Sequence, residues 1–145
     1  MNNSSKPRLE DLNVIVAGQG GDGSLTVVNI LADVLRTSGL RVYTERDVLS
    51  RIKGGITAAT LRAYNGERLC ISSHIDLMVA FDQAAIPKYA FRLNAKSIVI
   101  YDSSNGDLTA ESKLPEGVRL IGVPLSRYAV KNFRRDIYKN SISFA

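Results

Sequence analysis

Asn13-Val14-Ile15-Val16-Ala17-Gly18-Gln19-Gly20-Gly21-Asp22-Gly23-Ser24 is a short apolar run that ends in a glycine-packed turn and opens directly into an apolar helix. Strand, tight turn and helix in that order form the opening unit of a doubly wound α/β domain. Gly18, Gly20 and Gly23 carry the GxGxxG spacing, which lets the backbone turn sharply and aims its N–H groups, together with the helix N-terminus, at an anion. The spacing alone has many accidental matches, so its weight comes from the strand before it and the helix after it.

The rest of the chain repeats the alternation. A strand at 12–17 leads through the turn to a helix at 24–38, with Gly39 as a left-handed stop. A strand follows at 41–45, then a polar loop at 46–55 ending in Lys53-Gly54-Gly55. Runs at 56–64 and 68–72 flank Asn65-Gly66, a strong hairpin signal, so they are expected to pair antiparallel. Further strands are read at 77–81, 97–101 and 118–123, with a helix at 84–93 carrying Pro87 in its first turn. Residues 126–145 read as one basic helix. Near-continuous apolar strands alternating with helices predict an α/β fold: a doubly wound, mostly parallel, Rossmann-like sheet covered on both faces, with one antiparallel hairpin.

The chain has 145 residues, 45% hydrophobic and 23% charged, which suits one ordinary globular domain rather than a disordered or membrane-spanning chain. Residues 1–11 are read as a flexible polar tail without the apolar core of a signal peptide, implying a cytoplasmic protein, and 12–145 as a single domain. The last helix reaches Phe144-Ala145 with no Gly, Pro or polar terminator, which suggests a truncated C-terminal end. The first helix carries apolar residues around much of its circumference, Leu25, Val27, Val28, Ile30, Leu31, Val34 and Leu35 among them. It therefore needs cover beyond its own sheet, from a second helix or from a partner subunit.

The net charge of +5 is concentrated in the last stretch, where Arg127, Lys131, Arg134, Arg135 and Lys139 face only Asp136. A solvated helical face or a dock for an acidic partner accounts for this. Nucleic acid is disfavoured because stacking platforms are absent. Cys70 is the only cysteine and His74 the only histidine, so no metal or iron–sulfur ligand set is assigned to the chain. Cys70 is read as a small buried side chain in a strand, and His74 as a loop residue.

Three nucleotide readings compete for the glycine turn. Glu45, at the end of the second strand, stands where a Rossmann domain holds its ribose-binding acid, which makes a free-standing NAD or FAD module one hypothesis. Against it, a hairpin replaces the next crossover helix. Gly21-Asp22-Gly23 invites a thiamine diphosphate reading, but the place of the downstream metal-binding Asn holds Val48-Leu49-Ser50-Arg51. A P-loop lacks its Lys-Ser/Thr pair. The remaining reading sets the N–H groups of Gly20, Gly21, Gly23 and Ser24 beside Arg51 or Lys53, a backbone nest with a cation suited to a phosphate. The glycines equally permit close packing of the turn against another subunit.

Taken together, AGQGGDG after the first strand, RVYTERDVLSRIKGG, TAATLRAYNGE and IDLMVAFDQAAI resemble the gamma subunit or domain of 2-oxoacid:ferredoxin oxidoreductases of the pyruvate and 2-oxoglutarate type. The matching positions are Gly18 to Gly23, Lys53-Gly54-Gly55 and Arg62, and the likeness runs from Leu12 to Pro124. The Ile52-Lys53-Gly54-Gly55 form is most similar to members whose gamma domain is fused ahead of the alpha domain. The resemblance implies a complex that oxidatively decarboxylates a 2-oxoacid to an acyl-CoA and passes electrons to ferredoxin. In it this chain would be the non-redox part, docking against alpha and beta partners that carry thiamine diphosphate, Mg and iron–sulfur clusters. It would also help frame the coenzyme A site through Gly18, Gly20, Gly21, Gly23, Ser24, Arg51, Lys53, Gly54 and Gly55. No nucleic acid and no membrane enter the reading.

Overall fold

In a computed structural model, residues 10–47, 55–67, 70–108 and 114–144 are described. Six strands form one sheet: β1 (Asp11–Gln19), β2 (Arg41–Asp47), β3 (Ile56–Tyr64), β4 (Leu77–Ala80), β5 (Ile98–Asp102) and β6 (Arg119–Val123). Their spatial order is β2-β3-β1-β4-β5-β6. β1, β4, β5 and β6 run parallel, while β3 lies antiparallel to both β1 and β2. The expected α/β architecture, a mostly parallel sheet with an antiparallel insertion, is the one observed.

β1 decides this arrangement because it is apolar on both faces. Val14 and Val16 point into a layer with Val28, Leu61, Val79 and Leu125, while Ile15 points into the opposite layer with Met78, Ile86 and Val99. Alternation at a period of two therefore feeds two cores instead of one core and solvent. The first layer is closed by α1 (Ser24–Thr37), α3 (Leu125–Phe133) and Ile142 of α4 (Lys139–Phe144). The other is closed by α2 (Ala85–Tyr89) and a 3-10 turn at Ala90–Arg92. The second helix that α1 needed comes from its own chain, although Ile30 and Val34 stay exposed on its outer side.

The hairpin is where the structure departs from expectation. Asn65-Gly66 does turn, with Gly66 at φ 103°, but Cys70, Ile71 and Ser72 form no strand beside β3. Both edges of β3 are already taken, one by β2 and one by β1, so a further strand has no ladder to join. The antiparallel partner preceding β3 is β2. Cys70 is accordingly exposed rather than buried in a strand, and its carbonyl accepts a 2.9 Å hydrogen bond from Arg62. His74 is a loop residue as expected, its Nδ1 2.8 Å from Ser72 Oγ.

The insertion of β3 also moves Glu45. It lies opposite Thr60, which lies opposite Ile15 of β1, so Glu45 is two strands from β1, roughly 10 Å, and level with its middle. The acid does not stand beside the glycine turn as a Rossmann ribose ligand would.

The basic C-terminal stretch is not one helix. α3 ends at Phe133, Arg134 adopts φ 57°, and the chain resumes through a 3-10 turn at Asp136–Tyr138 into α4. That break redirects the chain back over the glycine turn.

Candidate functional site

The glycine turn stands at the carboxyl end of β1, at the point where the connections diverge: β1 leads through α1 toward β2, whereas β4 leads through α2 toward β5. Open α/β sheets place their ligand crevices at such switch points. A cleft of about 440 Å³ lies there, lined by Gln19, Asp22, Phe81, Asp82, Asp102 and Lys139 among others.

Each predicted glycine has its own surroundings. A Cβ on Gly18 would lie 2.7 Å from Asp22 Oδ2 and 2.9 Å from Phe81 Cβ, so only glycine lets β1 pass this close to the turn. Gly20 and Gly21 are exposed, with open space around them. Gly23, at φ 83°, precedes α1, and a Cβ there would collide with the Asn140 side chain of α4. Ser24 is 6% exposed, and its Oγ has no hydrogen-bond partner among the described residues. Gly55 is half-buried at the start of β3. Arg51, Lys53 and Gly54 lie outside the described residues.

The turn is closed by its own carboxylate. Asp22 Oδ2 accepts the Gln19 N–H at 2.8 Å, and the Asp22 N–H donates to the Gln19 carbonyl at 3.1 Å. Asp22 Oδ1 lies 3.0 Å from Lys139 Nζ, which also sits 3.1 Å from Asp136 Oδ2 and 5.9 Å from the centre of the Phe81 ring. Lys139 is 6% exposed. Burial opposes its charge, but the hydrogen bonds to Asp22 and Asp136 outweigh that cost and raise its pKa above the usual lysine value.

The far wall is built on Asp102 at the end of β5. Its Oδ1 accepts the Ser104 N–H at 2.9 Å and the Ser104 hydroxyl at 2.5 Å; its Oδ2 accepts the Ser126 N–H at 3.1 Å and the Ser126 hydroxyl. Pro124, which precedes α3, has no side chain able to cap the helix, so Asp102 of β5 takes the Ser126 N–H and the Ser104 hydroxyl takes the Arg127 N–H instead. Burial raises the Asp102 pKa, and the donors from Ser104 and Ser126 reverse this, leaving it below the usual carboxylate value. Gln83 Nε2 donates to the Asp102 and Gly106 carbonyls at 3.1 and 2.8 Å, and Gln19 Nε2 to Asp82 at 2.7 Å.

The cleft thus carries the carboxylates of Asp22, Asp82, Asp102 and Asp136 against the ammonium of Lys139. That balance disfavours a phosphate inside the cleft, and Gly20 and Gly21 form the exposed outer edge of the turn. The motif residue Arg62 is elsewhere. Its guanidinium grips Asp11 through Nε at 3.0 Å and Nη2 at 2.6 Å, at the opposite end of β1. Asp82 and Asp102 had a readable signal, being acids at the carboxyl ends of parallel strands. Lys139 and Asn140 had none, because the expected continuous helix placed them on a solvated face.

Residues 13–145 match the family described as pyruvate ferredoxin/flavodoxin oxidoreductase. The chain belongs to this family. It is 31% identical over 116 residues to an indolepyruvate oxidoreductase subunit of Archaeoglobus fulgidus, covering 77% of this chain and 58% of that one. Among solved structures it superposes on a 2-oxoglutarate:ferredoxin oxidoreductase from Magnetococcus marinus, solved with 2-oxoglutarate, coenzyme A and succinyl-CoA bound. There the TM-score is 0.81 and the identity 29%, over 92% of this chain and 23% of that one. The gamma subunit of a keto/oxoacid ferredoxin oxidoreductase from Geobacter sulfurreducens has the same fold, with a TM-score of 0.75 at 20% identity, over 92% and 72% of the two chains. The chain therefore spans little more than half of the Archaeoglobus relative and under a quarter of the Magnetococcus chain. Among the described residues, no helix is long and apolar enough to cross a membrane.

Proposed function

We propose that this chain is the gamma-type, non-redox part of a cytoplasmic 2-oxoacid:ferredoxin oxidoreductase that converts a 2-oxoacid to an acyl-CoA. Its partners would be alpha and beta chains or domains bearing thiamine diphosphate, Mg and iron–sulfur clusters, with ferredoxin served indirectly. The observation that carries this reading is the likeness, over 92% of the chain, to an oxidoreductase solved with coenzyme A and succinyl-CoA bound. Residues 12–145 would act as one docking domain that Asp11, read as the end of a polar tail at 1–11, joins as the first residue of β1, as in longer family members whose gamma part is joined to an alpha part.

The glycine turn is its proposed contribution to the coenzyme A site. A coenzyme A phosphate would be received on the outer edge, by the N–H groups of Gly20 and Gly21 near the N-terminus of α1, rather than in the acidic cleft. Gly18 and Gly23 would shape the turn, and the unpaired hydroxyl of Ser24 is a further donor. Arg51 or Lys53, with Gly54 and Gly55 giving the backbone close approach, would supply the cation.

The test is the assembled complex assayed with Lys53→Ala and with a bulky residue at Gly21. A raised KM for coenzyme A at unchanged 2-oxoacid KM is expected. Normal coenzyme A affinity with failed assembly would instead assign the turn to subunit docking. Calorimetric titration of the full chain with coenzyme A, NAD and FAD adds an independent control, in which dinucleotide binding would overturn the proposal.

A further inference from the structure

α3 and the turn that follows it bury very little of what they carry. The helix sends only Leu125 and Ala129 into the core, while Tyr128, Val130 and Phe133 are 54%, 52% and 53% exposed, and Ile137 and Tyr138 nearly as much. Soluble chains seldom leave this many large apolar groups together on one short segment without using them. The left-handed conformation at Arg134, whose N–H donates to the Val130 carbonyl at 2.9 Å, folds the chain so that the Tyr138 ring returns to 5.3 Å from Phe133, tilted by 51°. The two rings are therefore held in place before any partner arrives, which lowers the ordering cost of using them as anchors.

Charge says what kind of surface they fit. Arg134 and Arg135, which join the two ring-bearing elements along the chain, are both exposed, and Arg127 and Lys131 are exposed further back on α3. Arg127 is braced by a 2.9 Å bond to the Ser104 carbonyl. Lys131, Arg134 and Arg135 have no carboxylate partner among the described residues, because the neighbouring Asp136 is engaged by Lys139. Aromatic anchors with exposed arginines beside them have the composition of a binding hot spot with a basic margin. A second copy of the chain would set these cations against one another, which disfavours self-association through this face.

We infer that the Phe133–Tyr138 pair, with Arg134 and Arg135 between them along the chain, forms the face that docks onto an acidic, apolar-centred surface of a partner chain in the assembly. The inference rests on the reading that this chain works inside an oxidoreductase complex, and it adds which face makes the contact and through what chemistry.

The experiment is quantitative association of the full chain with its purified thiamine- and cluster-bearing partners, for wild type, Arg134→Glu/Arg135→Glu, Phe133→Ser and, as a control on the remote sheet edge, Arg41→Glu. The charge-reversed and ring-deleted variants should bind at least about ten-fold more weakly, wild-type affinity should fall as ionic strength rises, and Arg41→Glu should bind as wild type. Should Phe133→Ser fail to fold, the charge-reversed variant, whose changes are confined to solvated groups, carries the comparison. Equal binding of wild type and the charge-reversed variant overturns the inference while leaving the complex reading intact, and so does an equal loss in Arg41→Glu, which would make net charge the cause. Self-association of the isolated chain that disappears in Phe133→Ser would assign the face to a second copy. Failure of wild type to bind these partners at all sinks the complex reading and the docking face with it.

Discussion

Lys139 of α4 places its ammonium 3.0 Å from the Asp22 carboxylate in the glycine turn, so the end of the described chain is tied to the loop that follows its first strand. Both side chains are largely buried, and Asp22 uses its other oxygen on the Gln19 N–H. Lys139→Met would leave that carboxylate buried without its counter-charge, at a cost of about 3 kcal/mol. The double variant with Asp22→Asn should lose less than the two single variants summed. Urea unfolding midpoints of the four proteins check this. The folded pKa of Lys139 is raised, so the contribution of its ammonium is complete below 10.5 and is lost as pH climbs past the raised value.

Gly23→Ala should destabilise by about 1–2 kcal/mol through the left-handed backbone alone, and further through collision with Asn140. Asn140→Gly in the same chain should restore only the second part. Gly20→Ala, with 4.0 Å to the nearest atom, should be close to neutral. Hydrogen exchange at residues 139–144 would show α4 loosening in the first variant and not in the last.

Acid should act through Asp102. Its folded pKa lies below 3.8, so its contribution is complete above that value and is lost as pH falls through the lower, folded one. Asp102→Asn should be weaker than wild type by about 2 kcal/mol at neutral pH, with the gap closing in strong acid. Denaturation midpoints from neutral pH downward test this, and a gap that stays constant would remove the carboxylate from the explanation.

Arg62→Ala should cost about 3 kcal/mol, since it leaves Asp11 without its two-pronged partner. Arg62→Lys should recover only part of this, because a lysine cannot make the paired contact. The residue lies at the far end of β1 from the cleft, so assembled complexes containing stable variants should keep the wild-type KM for coenzyme A. A changed KM would mean that its part in the motif is not confined to the fold.

Much of the fold was legible in residues 13–24. An apolar strand buried on both faces, a turn dense in glycine and an apolar helix admit few arrangements, and the order of strands and helices after them follows from local periodicity. The site was legible only in part. Gly18 and Gly23 could be picked out by spacing, and the structure gives each a contact that excludes a side chain. Asp82 and Asp102 could have been found by the rule that acids at the carboxyl ends of parallel strands line the crevice.

Local patterns in the sequence by themselves determined the α/β class, the apolar character of β1 and the glycine turn, because period, turn chemistry and apolar runs act over a few neighbouring residues. Only the tertiary structure decided which strand pairs with which and what closes the turn. β3 slips between β1 and β2, filling both of its edges, and so denies Cys70 a strand and separates Glu45 from the turn. A single left-handed residue, Arg134, bends the basic stretch back, and a lysine that reads as solvated becomes the buried partner of Asp22. Hydrogen-bond vacancies and long-range charge pairs are properties of the assembled sheet, and neither is written in the local spacing of residues.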